Sequence, residues 1–143
     1  MPKFACIVVL AAFAATSAAA QTPVPDMRGT WKGTSESIAT GGEHPHHPGQ
    51  AGQGGQAGQP RLDHIAFTMT VDMQDGRRFS GTFSSARAND KFIAVISHNN
   101  TIYLVDDDGY TIGTMLAPNR VELCYMMRTP AVHVASCTEM TKQ

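Results

Sequence analysis

The sequence HIAFTMTVDMQDGRRFSGTF, residues 64–83, contains two alternating segments on either side of a turn signal. Apolar side chains occupy every second position from Ile65 to Met73, and the pattern resumes from Phe79 to Phe83. Because the side chains of a strand point alternately to its two faces, this pattern predicts two strands with one buried face each. The dipeptide Asp75-Gly76 between them is typical of a tight hairpin turn.

The same rhythm runs from Trp31 to Met140, with further turns expected at three dipeptides. These are Asn99-Asn100, Asp108-Gly109, where we expect a type I′ turn with positive φ, and Pro118-Asn119. The first strand is predicted to start near Arg28. The other predicted strands cover Lys91–Ser97, Thr101–Val105, Tyr110–Leu116, Val121–Met127 and Val132–Thr141. We expect the nearly all-apolar segment Lys91–Ser97 to be buried on both faces. The sequence therefore predicts an all-β fold: a single eight-stranded antiparallel up-and-down barrel, since closure removes the exposed edges of an open sheet.

The first twenty residues have the pattern of a secretory signal peptide. Lys3 is followed by an apolar stretch from Phe4 to Ala15 and by small residues that end in an Ala-x-Ala match at Ala18 to Ala20. A transmembrane helix needs about 20 apolar residues, which is more than this stretch offers. We therefore expect cleavage after residue 20, no membrane span in the mature chain, and a periplasmic or secreted protein. Residues 21–27 are expected to form a flexible arm, and residues 28–143 the barrel domain.

The length and the charge balance of the chain limit the number of domains and the classes of partner that we expect. The chain has 143 residues, with 12 acidic against 11 basic side chains. This length suits one domain with one core. A nucleic-acid-binding protein would carry a strongly basic face, so the near-neutral balance argues against nucleic acid as a partner.

Two cysteines follow the leader, Cys124 and Cys137. They are placed symmetrically about a hairpin expected near Pro130-Ala131, so they should face each other across the last strand pair. Directly opposed Cβ atoms in a sheet come close to disulfide distance, and an oxidising compartment would allow the bond to form. We predict a disulfide, with two free thiols or a two-cysteine metal site as the alternatives.

Residues 41–60 interrupt the strand rhythm with glycine, glutamine, histidine, proline and alanine. The segment has no apolar side chain larger than alanine, so burial cannot compensate its ordering entropy, and we predict a disordered insertion. It contains His44, His46 and His47, whose imidazoles are suitable ligands for zinc, copper or nickel. A metal-handling role through this loop is one hypothesis, and a flexible polar loop without fixed ligands is its alternative.

The motif Gly29-Thr30-Trp31 at the start of the first strand resembles the calycin group, which includes lipocalins, avidin-like proteins and fatty-acid-binding proteins. The resemblance implies that Trp31 closes one end of the barrel. Residues Arg78–Phe83 are similar to the third-strand region of avidins. The biotin site of avidin-like proteins is walled by several tryptophans, whereas this chain has one. Biotin binding is therefore not implied. The chain also resembles small periplasmic metalloprotease inhibitors, whose inhibitory segment corresponds here to the arm at Gln21–Asp26.

We expect the barrel to bind a small apolar ligand without catalysing a reaction. Small side chains on the inner face of the first strand leave room for a ligand, although large side chains elsewhere could instead fill the interior. The predicted ligand-binding residues are Trp31, Ser35, Ser37, Phe67, Phe83 and Tyr125. No serine or cysteine lies in a nucleophile motif, so we predict no catalytic residues, no enzyme activity and no cofactor. The alternative function is a protein-binding module, with a protease or another protein as partner.

Overall fold

The computed structural model describes residues 23–42, 46 and 59–143. Within these residues the chain forms eight strands and no helix. The strands are β1 (Gly29–Gly41), β2 (Arg61–Asp75), β3 (Arg78–Ser84), β4 (Asn89–Ile96), β5 (Thr101–Val105), β6 (Tyr110–Ala117), β7 (Arg120–Arg128) and β8 (Val132–Lys142).

Each strand pairs antiparallel with its neighbour in the sequence, and β1 also pairs with β8 to close the sheet. The predicted fold is confirmed: the protein is an eight-stranded up-and-down barrel of calycin-like architecture. The predicted leader at residues 1–20 and most of the predicted insertion lie outside the described residues. The described part of the chain has no helix with the length and apolar character needed to cross a membrane.

The inward face of β1 follows the predicted alternation, whereas β2 departs from it near its end. A bulge between Val71 and Met73 shifts the register with β3. Met73, predicted to face inward with Val71, is therefore turned outward and is half exposed. One extra residue in a strand reverses the faces of the residues that follow it. The bulge therefore turns the Gln74 side chain inward, toward Met27 and Pro25.

Strand β4 corrects a second prediction. Phe92 and Ile96 are buried, but Ile93 is 66% exposed and Val95 is 46% exposed. The strand is therefore buried on one face, since a closed barrel without covering helices leaves the outer face of every strand in solvent. The prediction that Lys91–Ser97 is buried on both faces, which relied on its apolar composition, is therefore wrong.

Trp31 lies inside the barrel near the start of β1. Its side chain is fully buried, and its Nε1 donates a hydrogen bond of 2.8 Å to the carbonyl of Met27, which is also fully buried. Gln74 accepts from the Met27 amide at 2.8 Å and donates to the carbonyl of Pro25 at 2.9 Å. Residues 25–27 are thereby attached to the barrel end where the large apolar cluster lies.

The predicted disulfide is present between Cys124 and Cys137. The two residues are direct register partners on β7 and β8, with a Cα–Cα distance of 4.1 Å. Both lie on the outer face, opposite the inward-facing Leu123 and Thr138. The bond therefore links the last hairpin without occupying interior space.

Candidate functional site

The barrel encloses a cavity of about 40 Å³ beside its main apolar cluster. The apolar part of the wall contains Phe67, Phe83, Leu104 and Leu123. The polar part contains His46, Asp90, Asp106, Asp108, Thr111, Tyr125, Ser136 and Thr138. This volume holds one or a few waters, whereas sites for drug-sized ligands measure about 300–1,000 Å³. The interior is therefore largely filled, with a small free space between an apolar and an acidic wall.

His46 occupies part of this interior, and only 7% of its area is exposed. Its Nε2 lies 2.5 Å from Oδ2 of Asp90, and its Nδ1 lies 2.8 Å from Oγ of Ser85. The ring also contacts the ring of Phe67, with centroids 5.2 Å apart in an edge-to-face arrangement. This geometry suits a ring whose Nε2–H donates to the carboxylate and whose Nδ1 accepts from the hydroxyl.

Ser85, His46 and Asp90 form a hydrogen-bonded line of the residue types found in hydrolytic triads. The Ser85 hydroxyl also accepts hydrogen bonds from the backbone N–H groups of Arg87 at 3.1 Å and Ala88 at 3.3 Å. These contacts occupy the oxygen that would have to attack a substrate, and they are the contacts of a turn-forming serine. The arrangement therefore holds the imidazole ring in place without presenting a free nucleophile.

A second polar group lies where β5 turns into β6. The Asp106 carboxylate accepts from the backbone N–H of Gly109 at 2.8 Å, and Tyr125 donates its hydroxyl proton to Asp108 at 2.9 Å. Burial raises the pKa of Asp106, and the nearby Asp108 raises it further. Burial, together with Asp108, also holds the pKa of the Tyr125 hydroxyl well above its usual range. The group therefore favours protonated carboxyl and phenol forms, or a positively charged neighbour.

This turn is not the predicted type I′ turn. Neither Asp108 nor Gly109 has a positive φ, and the Asp106 side chain caps the turn instead. Glycine is needed at position 109 for space, because a Cβ there would lie 2.3 Å from Cε2 of Tyr125. The dipeptide correctly predicted a turn. The reason for glycine at position 109, however, is the space taken by the Tyr125 ring on β7.

Three of the predicted ligand-binding residues, Phe67, Phe83 and Tyr125, line the cavity. Trp31, Ser35 and Ser37 face the interior but are not part of the cavity wall. Ser37 donates to the carbonyl of Asp63 at 3.1 Å, and the buried Oγ of Ser35 finds no hydrogen-bond partner within the described residues. The structure thus brings the aromatic half of the predicted set together and places the β1 residues beside it.

Several wall residues were not predicted. Ser136 and Thr138 lie on the same face of β8 as the inward-facing Val134 and Met140, so strand parity alone could have identified them. Asp106 and Asp108 were interpreted only as turn residues. Asp90 lies in a strand that was judged by its apolar centre, and no local signal links it to His46, which is 44 residues away.

Two further hypotheses were metal binding by the histidine loop and protease inhibition by the N-terminal arm. No contact among the described residues supports either of them. His44 and His47 lie outside the described residues, and the described histidine, His46, is engaged by Ser85 and Asp90. No group of three or more His, Cys, Asp or Glu in the described ranges could hold a metal ion. Of the predicted arm, Pro23 and Val24 are exposed, whereas Pro25 is bound by Gln74.

Comparison with known proteins adds little. No protein-family model matches the sequence, and no curated protein matches it. Among solved structures, the chain is similar to the S-type phycobiliprotein lyase CPES from Guillardia theta, with 11% sequence identity and a TM-score of 0.45. That match covers 82% of this chain and 88% of the other. A similarity of this size does not indicate a shared function.

Proposed function

We propose that this barrel is an exported, non-enzymatic binding protein for a small, largely apolar molecule that carries a nitrogen-containing head group. The observation that carries the proposal is the imidazole ring of His46, buried between Asp90, Ser85 and Phe67. The His46 ring shows which chemistry the position accepts. The ring is flat, its N–H donates to the Asp90 carboxylate, and it packs in an edge-to-face arrangement with the Phe67 ring.

The size of the interior supports this interpretation. The free space of about 40 Å³ is too small for a ligand on its own, so a ligand would have to take the place of the His46 ring. The space that the ring leaves adjoins the apolar wall of Phe83, Leu104 and Leu123. A ligand would then bury its apolar body against this wall and direct its nitrogen toward Asp90.

The charge of the wall supports a head group that donates hydrogen bonds. Asp90, Asp106 and Asp108 line the cavity, and among the described residues no Lys or Arg belongs to its lining. An amine or imidazole-like group would be attracted by these carboxylates, whereas a carboxylate or sulfonate would be repelled. Export is supported by the leader sequence and by the disulfide, which is typical of oxidising compartments.

The proposal predicts selectivity between two probes that share the same rings. N-phenyl-1-naphthylamine is neutral and carries an N–H, whereas 8-anilinonaphthalene-1-sulfonate adds a sulfonate. We expect the purified protein to bind the neutral amine with increased fluorescence and to bind the sulfonate at least about tenfold more weakly, which corresponds to 1.4 kcal/mol. Equal binding of both probes, or none of either even in His46→Ala, would contradict the proposed function.

Replacement of His46 tests the head-group position directly. In His46→Ala the ring is removed, so free imidazole should fill the vacated position and raise the melting temperature in a saturable way, as a ligand of the folded state does. His64→Ala, which removes an exposed histidine of β2, is the matched control and should not respond. The double variant His46→Ala/Asp90→Asn should lose most of the response, because the carboxylate acceptor is gone. A response of equal size in His46→Ala and in the control would reject Asp90 and Phe67 as a head-group site.

A further inference from the structure

The outer surface of β4, β5 and β6 carries a continuous apolar area. Six large side chains each leave between 39% and 66% of their area exposed, and we name them the outer apolar face. They are Ile93, Val95, Tyr103, Val105, Tyr110 and Ile112. Single exposed apolar residues are ordinary, but contiguous patches of several hundred Å² on a monomer usually mark an interaction site.

The register arranges the outer apolar face in two rows across the strands. Ile93, Val105 and Tyr110 are successive cross-strand partners and form the first row. Val95, Tyr103 and Ile112 form the second row. The second row continues to Cys124 on β7, where the disulfide links the strand to β8. The face therefore lies on three paired strands of the barrel's outer surface, where the register fixes the order of the side chains, and not on a loop.

On the β3 side, polar and charged residues border this face, whereas on the β7 side the register partners of Ile112 and Tyr110 are Cys124 and Met126. Arg78 is the register partner of Val95 on β3, and Ser80 is the partner of Ile93. An apolar centre that meets polar residues at its edge is a feature of protein–protein interfaces, and here the β3 side has that feature.

We propose that the outer apolar face is the interface between two copies of this chain. A two-fold axis that lies in the interface parallel to the rows places each row on the other row of the second copy. Tyr103 then lies opposite Val105 of the second copy, and Tyr110 lies opposite Ile112. Each ring thus meets a β-branched side chain, which is the self-complementarity that a symmetric dimer requires. This match favours a second copy over an unrelated protein.

The area agrees with a dimer of moderate stability. Two faces of this size bury on the order of 1,000 Å² in total, close to the lower limit for a specific interface. We therefore expect a dissociation constant in the micromolar range rather than the nanomolar range.

Sedimentation equilibrium of the full mature chain tests the proposal. The wild-type protein should change from monomer to dimer as its concentration rises through the micromolar range. Val105→Glu should weaken the dimer at least about tenfold, because it places a charge in a desolvated centre. Leu62→Glu, which changes an apolar residue on β2 that is more exposed than Val105 and lies outside the outer apolar face, should leave the association unchanged. Circular dichroism spectra that match the wild type would show that both variants are folded.

A charge pair tests the orientation. Tyr103→Glu and Val105→Lys should each weaken the dimer, and the double variant should recover part of the loss, because each Glu then faces a Lys of the second copy. A wild-type monomer at several hundred micromolar, or equal weakening by Val105→Glu and Leu62→Glu, would overturn the proposal. If the double variant forms a dimer no more tightly than the single variant with the weaker dimer, the two-fold arrangement is wrong. Probe binding inside the barrel should be the same in all of these variants, so this test is independent of the proposed function.

Discussion

At the residue scale, the polar end of the interior depends on side chains that restrict one another. Tyr125 fills the space where a Cβ of residue 109 would lie, and its hydroxyl binds Asp108. Asp106 caps the same turn through the Gly109 amide. One tyrosine from another strand thus contacts both the glycine and one carboxylate of this turn, and the other carboxylate bonds the turn backbone. The positions of these groups follow from packing rather than from the dipeptide preferences of the turn.

Asp106 gives this group a pH dependence. Burial and Asp108 raise the pKa of Asp106 in the folded protein. The folded state therefore binds the proton more tightly than the unfolded chain, whose Asp pKa is about 3.9. The stabilisation is complete below that value and is lost as the pH rises through the folded pKa. Asp106→Asn keeps an oxygen for the Gly109 amide but cannot ionise. We expect the wild type to lose stability relative to Asp106→Asn between about pH 4 and neutral pH, measured by urea unfolding.

The control for this prediction is Asp72→Asn, which alters an exposed carboxylate on the outer face of β2. Its free energy of unfolding should run parallel to that of the wild type across the same range. A difference between wild type and Asp106→Asn that does not change with pH would contradict the role assigned to burial.

At the scale of elements, the irregularities of the strands position the two ends of the barrel. The bulge between Val71 and Met73 turns Gln74 inward, where it binds Met27 and Pro25 beneath Trp31. At the other end of the sequence, the disulfide fixes the pairing of β7 with β8. The closing pair β1–β8 depends on that register, because β8 also pairs with β1 along Trp31–Gly41.

Removal of the disulfide should cost stability without altering the interior. Cys124→Ala/Cys137→Ala opens a link between residues 13 apart, and we expect a loss of about 2–3 kcal/mol in the free energy of unfolding. Chemical denaturation at a protein concentration where the chain is monomeric measures this loss. Binding of N-phenyl-1-naphthylamine should be retained, since both cysteines lie on the outer face. An unchanged free energy of unfolding would show that the register does not depend on the bond.

At the scale of the whole molecule, closure of the sheet separates two surfaces with different properties. Inward side chains form the apolar cluster and the acidic cavity, whereas outward side chains of β4–β6 form the outer apolar face. Because neighbouring residues of a strand point to opposite sides, a substitution on one surface leaves the other almost untouched. A binding function inside and an association function outside are therefore compatible in the same strands.

Much of the fold could be predicted because the signals that specify it are local. Alternation in β2 and β3, turn dipeptides and the placement of Cys124 and Cys137 predict an antiparallel barrel with a linked last hairpin. These signals arise from the two-residue period of a strand and from backbone preferences in tight turns. The apolar segment Lys91–Ser97 misled the prediction because composition does not show whether a second layer covers a strand.

The sequence by itself determined the strand order, the closed sheet, the inward face of β1 and the partner of each cysteine. Only the tertiary structure decided that His46 lies against Asp90 and Phe67, that the free interior is about 40 Å³, and that the apolar side chains of β4–β6 form one exposed face. The physical reason is range. Strand patterning is set by neighbours along the chain, whereas cavities and contiguous surfaces form between residues that closure of the barrel brings together.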